Sequence, residues 1–485
     1  MRVCLINPPR LHPKAWGKPV VYPPIGIAYV AAVLEKQHEV SIIDAPTEGW
    51  KQLKQIHETN YRMGLTNKEI ADRIKRWSPD IVEINIPFSG WSKAAFEVAS
   101  VAKSVDKDIV TVLDGLHPSA RPVECLSNPD IDFVVRGEPE YTMRELVGAL
   151  EQGTTAEDLK KIEGIGFIKN GKRVITPPRP EIQDLDALPF PARHLLPMDI
   201  YFEAIKENPI RGEISKRYTI IITSRGCPHR CIFCSNYIVM GKTWRGRSPE
   251  NVVDELEQIV NTYSIKQIDF FDENMTLIKK RVEDICELIM ERGLDIDWYV
   301  PNGVRADTLD EELLRKMSGA GCKEIRVAPE SGVQRVVDEI IKKNLNLKDV
   351  EKAVVLAKKV GMKIGVFLML GLIGETKEDI KETIRFAYKL KKLGADSFQF
   401  SIATPLYGTD LYEQAKSGGY LRENFSDEAL AALEPLIETE EFTADDLLEL
   451  CAEANLINQT PTRDKIVKAI RNPKKAIRTL LGKMD

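Results

Sequence analysis

The chain has 485 residues, 43% of them hydrophobic and 29% charged, with a formal net charge of −5. At about 150 residues per domain this predicts roughly three units, and a composition so near the globular average excludes disordered and membrane-spanning classes. The mild acidity gives no global drive towards a polyanion, so no nucleic-acid partner is expected.

The N-terminus MRVCLINPP reads as a strand rather than a charged-then-apolar export signal, and no stretch approaches the roughly 20 apolar residues of a bilayer span. A cytoplasmic protein is expected. From 1 to about 150, apolar strand-like runs alternate with amphipathic helix-like runs, the pattern of a parallel α/β sheet. Strands are expected at Val3–Asn7, Val40–Asp44, Ile81–Ile86, Ile109–Asp114 and Phe133–Arg136, enough for one Rossmann-like layer. They end in Asn7-Pro8-Pro9, Asp44-Ala45-Pro46, Pro87-Phe88-Ser89-Gly90, Asp114-Gly115-Leu116-His117 and Arg136-Gly137-Glu138. Ligands of open parallel sheets sit beyond the carboxyl ends of the strands, so these loops are the expected binding surface.

Residues 151–215 read as a connector, with a hairpin signal at Asn170-Gly171 and a run at 177–197 too rich in proline for a packed helix. From 216 to 430 the β/α alternation resumes, with strands expected at Ile220–Thr223, Gln267–Phe271, Trp298–Val300, Glu324–Ala328, Ile364–Leu370 and Ser397–Ile402. Six parallel strands suit a partial (β/α)6 barrel. Residues 431–485 are expected to form a small helical C-terminal region. Residues 430–460 contain no Lys or Arg, whereas 461–485 carry eight basic side chains against two acidic ones. That tail is either a docking element for an anionic partner or a solvated helical face.

Eight cysteines in so long a chain are too sparse for a disulfide scaffold, and Cys227, Cys231 and Cys234 are bunched in TSRGCPHRCIFCSN after the first barrel strand. Barrels of this kind present their reactive groups on such loops. The spacing lets one loop curl three thiolates around a single iron–sulfur cluster, with Gly226 and Pro228 supplying the turn chemistry. A fourth nearby cysteine is missing, which leaves one iron open. Zinc with His229 as fourth ligand is the alternative, disfavoured because His229 lies between the first two cysteines. Cys4, Cys125, Cys286, Cys322 and Cys451 read as structural.

The cysteine spacing, with Phe233 just before the third cysteine, resembles the radical S-adenosylmethionine (SAM) superfamily, and later segments agree in order. The resemblance implies a [4Fe-4S] cluster whose open iron chelates SAM, so that an electron from an external donor such as a ferredoxin or flavodoxin releases a 5′-deoxyadenosyl radical. It implies that Asp272 or Glu273 in DFFDENM receives the methionyl amine, and that Glu330 and Ser331 in APESG bond the ribose. By the same likeness Gly371 and Gly374 in LGLIGET approach the adenine, while NGVRAD makes Asn302 and Arg305 candidate SAM contacts and TPLYGT at 404–409 matches a further strand end.

INPP at 6–9, YPPIGIAYVAAVLE at 22–35, DGLHPSARP at 114–122 and DFVVRGEPE at 132–140 resemble the cobalamin-binding domain of one radical SAM subgroup. The cobalamin contacts implied are Asn7, Pro8, Pro9, Pro24, Gly26, Ser89, Gly115, Leu116, His117, Gly137 and Glu138. Gly26, Gly115 and Gly137 give clearance for a broad macrocycle and its nucleotide tail. A dinucleotide fingerprint is absent, since the first strand is followed by NPPRLH. His117 lacks the glycine three residues later that marks cobalt-ligating histidines, so it is expected to line the loop or tail. Asp114 stands where relatives usually have glycine, and its part there is open. The alternative for this domain is a vestigial sheet.

The pairing resembles cobalamin-dependent radical SAM methyltransferases, in which a substrate radical takes the methyl group of methylcobalamin and an unactivated carbon is methylated. One rival keeps both cofactors but ends in cyclisation or rearrangement. A second, a non-enzymatic cluster or cobalamin sensor, would lack the SAM-contacting strand ends present here. With its compact C-terminal segment and Lys- and Glu-rich composition, the chain also resembles protein-modifying members of the family, such as those that C-methylate methyl-coenzyme M reductase, a likeness that implies a peptide or protein substrate.

Overall fold

The apolar runs of the first 150 residues line up as a parallel sheet in the computed structural model, which describes residues 1–14, 17–56, 60–209, 217–431 and 434–459. The basic run at 461–485 lies outside the described residues. The strands Phe133–Val135, Val110–Asp114, Ile81–Asn85, Arg2–Asn7 and Glu39–Asp44 are neighbours in that spatial order, all parallel. Side chains alternate across the strands. Cys4, Ile6, Val82, Ile84 and Leu113 face the helices Asn67–Trp77 and Ser92–Val105. Val3, Leu5, Ile81 and Val112 face the helices Ile25–Leu34 and Pro139–Glu151. Both faces are therefore dry, which is why these strands read as near-continuous apolar runs.

The sheet is wider than the five strands expected. The hairpin Ile165–Lys169 and Lys172–Ile175 turns through Asn170 and Gly171 at φ +50° and +74° and adds two antiparallel strands beside Phe133–Val135, making seven. An uncovered edge strand leaves its N–H and C=O groups without partners, and the hairpin supplies them. A small sheet of Arg10–Pro13, Asn60–Met63 and Leu53–Gln55, and the helix Met198–Glu207 inside the connector, had no clear sequence signal.

The second sheet has six strands in chain order, Tyr218–Ile221, Gln267–Phe270, Asp297–Val304, Cys322–Glu330, Lys363–Leu370 and Ser397–Ile402, the parallel sheet of a partial (β/α) barrel. Two of them run past the expected ends. Asp297–Val304 continues through Pro301 and Cys322–Glu330 through Pro329, and the pairing register shifts at each place. Proline has no N–H for the ladder, so it reads as a stop where the structure uses an irregularity. Thr66, Thr376 and Thr443 each close a capping box at a helix start.

By contact the chain forms two compact units. The first takes Met1–His229, Phe233–Glu273 and Pro405–Leu436; the second takes Arg230–Ile232, Asn274–Thr404 and the described chain from Ile437 to Gln459. Among the described residues no helix is long and apolar enough to cross a membrane.

Within the first unit Glu255, fully buried, pairs with Arg193 at 2.6 Å and with Arg247, both guanidiniums themselves buried. Burial opposes its charge, yet Arg247 and Arg193 hold its carboxyl below the ordinary value. Removing one partner of a buried pair strands the other charges. Glu255→Ala is expected to cost about 3–5 kcal/mol, read as a lowered urea-unfolding midpoint, with a smaller loss for Glu255→Gln.

Candidate functional site

The base of the cysteine loop is fixed by side chains on both sides. Asp272, buried at the end of Gln267–Phe270, accepts the Thr223 N–H at 2.7 Å and the Ser224 hydroxyl at 2.7 Å, and also the Thr223 hydroxyl. Arg225 donates to Glu138 at 2.9 Å and to Glu140 at 2.6 Å, and Arg245 donates to Glu138 at 2.6 Å. The Ile182 N–H also donates to Glu138, at 2.8 Å. Burial disfavours the charge on Arg225, but Glu140 and Glu138 more than offset this and hold it charged above its ordinary range. Gly226 follows at φ +79°, where a Cβ would lie 2.2 Å from the Thr243 carbonyl oxygen, so the chain can turn into Cys227 only through glycine.

Cys227, Cys231 and Cys234 are partly exposed thiols, with Phe233 half-buried among them in sequence. Cys4, Cys125, Cys286 and Cys322 are buried, and burial pushes the first three up to about 12 and the fourth well up. Those four stay protonated, whereas a metal ligand must be a thiolate. Three thiolates from one short loop fit an iron–sulfur cluster that keeps an iron open for another ligand.

In the second unit the Ile232 N–H bonds to the Ile341 carbonyl at 3.2 Å, and close by Lys343 donates to Glu330 at 2.9 Å. Burial works against the Lys343 charge, while Glu330 and Cys231 favour it and raise its pKa. Lys342 and Asn344 flank it in the left-handed region at φ +61° and +50°, and Arg305 holds the carbonyls of Lys343 and Asn344 at 2.9 and 3.0 Å. This backbone is constrained to present one ammonium. Sequence reasoning missed Lys343; its only signal was a Lys-Lys-Asn break at the end of an apolar helical pattern.

The SAM candidates thus divide. Asp272 is committed to the strand end, Arg305 to the 343–344 backbone, and Ser331 to Thr383 at 3.0 Å. Glu273 keeps a buried Oε2 without a hydrogen-bond partner, Glu330 lies at φ +66° with Lys343 on one oxygen, and Asn302 is exposed. Gly371 and Gly374 have φ +86° and +88°, and a Cβ on Gly371 would strike Leu447 at 2.7 Å, so its freedom serves packing first. The Gly371 and Leu372 N–H groups both donate to buried Glu375, at 2.9 and 3.1 Å, a further residue the sequence did not single out.

The cobalamin candidates gather at the carboxyl edge of the first sheet. Asn7, Pro8 and Pro9 follow Arg2–Asn7, Ser89 follows Ile81–Asn85, Gly115 to His117 follow Val110–Asp114, and Gly137 with Glu138 follows Phe133–Val135. Pro24 caps the helix Ile25–Leu34 and Gly26 is exposed in its first turn with nothing within 4 Å. Gly115 is at φ +102°, with the Ile86 carbonyl oxygen 2.7 Å from where a Cβ would sit. In register along the edge stand Asp114, Asn85, Asn7 and Asp44, where Asn85 donates to Asp114 at 2.8 Å and Asn7 to Asp44 at 2.7 Å. A ledge with two half-buried carboxamides, and with Gly26 and Gly137 open around it, fits a broad macrocycle. Leu116 is half-buried, whereas His117 is sealed between the rings of Phe96 and Tyr407 with Nε2 3.9 Å from Asp427. Glu138 is taken up by Arg225 and Arg245.

Residues 221–387 match the radical SAM superfamily and residues 19–147 the B12-binding domain. The chain is 36% identical over 458 residues to an uncharacterised methyltransferase of Pyrococcus horikoshii, covering 94% of this chain and 91% of that one. It is 31% identical to the cytidylyl-2-hydroxyethylphosphonate methyltransferase of Streptomyces wedmorensis, covering 82% and 78%. The fold is similar to that of the radical SAM methyltransferase TsrM from Kitasatospora setae with cobalamin and [4Fe-4S] cluster bound, with TM-score 0.68, 18% identity and coverage of 87% and 79%.

Burial, with Asp272 beside it, pushes the Glu273 carboxyl from 4.5 to about 7, and burial does the same to Glu375. Between pH 4.5 and 7 the folded chain keeps protons that the unfolded chain releases, so stability falls as pH rises through that window. Urea midpoints measured from pH 5 to 7.5 are expected to decline more steeply for the wild type than for Glu273→Gln or Glu375→Gln.

Proposed function

Since this chain belongs to the B12-binding radical SAM family, we propose that it is an enzyme that methylates an unactivated carbon of a small-molecule substrate. The observation that carries this reading is a loop of three partly exposed cysteines whose first residues are tied by Arg225 to the loop ending the cobalamin-type sheet. When bound, the cluster with SAM supplies a hydrogen-abstracting radical and cobalamin supplies the methyl group.

The protein's own residues bind and orient. Cys227, Cys231 and Cys234 hold the cluster. Glu273, with an unbonded and buried carboxylate oxygen, is the receiver for the methionyl amine, because Asp272 has spent its oxygens on Thr223 and Ser224. Glu330 is kept in place for a hydroxyl pair by Lys343, whose ammonium also compensates the thiolate charge of Cys231. Asn7 and Asn85 offer carboxamides to cobalamin from the sheet edge. Electrons come from an external donor of the ferredoxin or flavodoxin class. The named small-molecule substrate of the Streptomyces relative supports a small molecule over the peptide or protein residue suggested by composition.

Anaerobically reconstituted protein given methyl-deuterated SAM and candidate small molecules is expected to yield S-adenosylhomocysteine and 5′-deoxyadenosine in comparable amounts, with the label in the product by mass spectrometry. Deoxyadenosine without S-adenosylhomocysteine would sink methylation in favour of cyclisation or rearrangement. Cys231→Ala is expected to abolish SAM cleavage while the cobalamin absorption spectrum of the bound protein persists.

A further inference from the structure

Inside the first unit lies a cavity of about 180 Å³, walled by the loop after Phe133–Val135, the proline-rich connector and the short helix Tyr237–Met240 that follows Cys234. At roughly 30 Å³ per water molecule it has room for one small polyatomic ion with its solvent. Its charges are unevenly matched. Glu138 is spent on Arg225 and Arg245, Glu181 accepts the Lys242 backbone N–H at 2.9 Å and lies 3.8 Å from Arg245, and the guanidinium of Arg179 is forked onto Glu145. Arg136 alone has no such match. Its Nη1 donates to the Thr176 carbonyl at 3.3 Å, its Nε is buried without a partner, and among the described residues no carboxylate lies within ion-pairing distance.

We propose that this cavity is an anion subsite in which Arg136 receives a phosphate, phosphonate or carboxylate group. A guanidinium is a planar fork of five donors suited to two oxygens of one such group, and a part-buried fork with one long bond and an idle Nε is incomplete. Burial alone depresses the Arg136 pKa, with no neighbouring acid to offset it, so an arriving anion meets a partly desolvated charge. Ser119, which accepts the Gly137 N–H at 3.0 Å, and Tyr237, which donates to the Gly408 carbonyl at 2.6 Å, fix the two opposing walls. The walls belong to the segment of the cobalamin-type loops and to the segment of the cysteine loop. The group bound is therefore either the anionic end of the substrate or the phosphate of the cobalamin nucleotide tail. The first rests on the methyl-transfer reading and the second does not.

Inorganic phosphate titrated calorimetrically into cobalamin-free protein is expected to bind, and Arg136→Gln to weaken it by about tenfold or more. Arg136→Lys, which keeps the charge and the reach to Thr176 but not the fork, is expected to fall between the two; circular dichroism checks that both variants fold. If phosphate still binds after cobalamin loading, the site serves the substrate. If loading abolishes it and Arg136→Gln weakens cobalamin but not the tail-less cobinamide, the site serves the cofactor. Phosphate that does not bind the wild type, or binds folded Arg136→Gln equally well, overturns the proposal, and neither result depends on whether methyl transfer is observed.

Discussion

Four buried charges organise the first unit: Glu138 and Glu140 from the Rossmann-like domain, and Arg225 and Arg245 from either side of the cysteine loop. Taking such groups out of water is costly, and their pairing does little more than recover the cost. Their value lies in geometry. Glu138 is the residue that starts the helix Pro139–Glu151, and Arg225 stands just ahead of Gly226, so the ion pair fixes the point from which the cysteine loop departs. A hydrophobic contact of the same size could slide; a forked guanidinium between two carboxylates has one register.

The parts of this arrangement that depend on local patterning were legible in the sequence. Strand positions followed from apolar runs buried on both faces, and the glycine turns at Gly115 and Gly226 followed from turn chemistry. What stayed hidden was the commitment of polar side chains over long sequence distances. Nothing in DFFDENM tells that Asp272 is consumed by Thr223 and Ser224 while Glu273 is left over. Nothing in RGEPE tells that Glu138 is turned towards Arg225 rather than a ligand. A motif fixes which residues reach a place, and only the fold decides which of them arrive with their bonds unspent. Pro301 and Pro329 misled in the opposite direction, since proline is a poor ladder member yet tolerable where the register shifts.

The carboxyl edge of the first sheet shows the same economy. Asn7 and Asn85 stand side by side, each anchored by a carboxyl on its outer side, Asp44 and Asp114 respectively. Asp44 also accepts the Tyr201 hydroxyl from the connector helix. Burial raises the pKa of both acids, and burial with Asp114 beside it lifts Glu83 well above its ordinary range. Asp114 thus has a structural part at this edge: its carboxyl orients Asn85.

The first unit is completed by a late piece of chain. Pro405–Leu436 belongs with Met1–His229, and its Tyr407, Tyr412, Leu430 and Leu436 form one apolar cluster with Phe88 and Ala120 from the Rossmann-like loops. Asp427 there also accepts the Ser92 hydroxyl at 2.5 Å. Domains ordinarily fold in the order in which the ribosome delivers them. Here the first unit must wait, with that apolar surface bare, until the chain has been made as far as Leu436, and a nascent chain stalled inside the barrel would present it to chaperones.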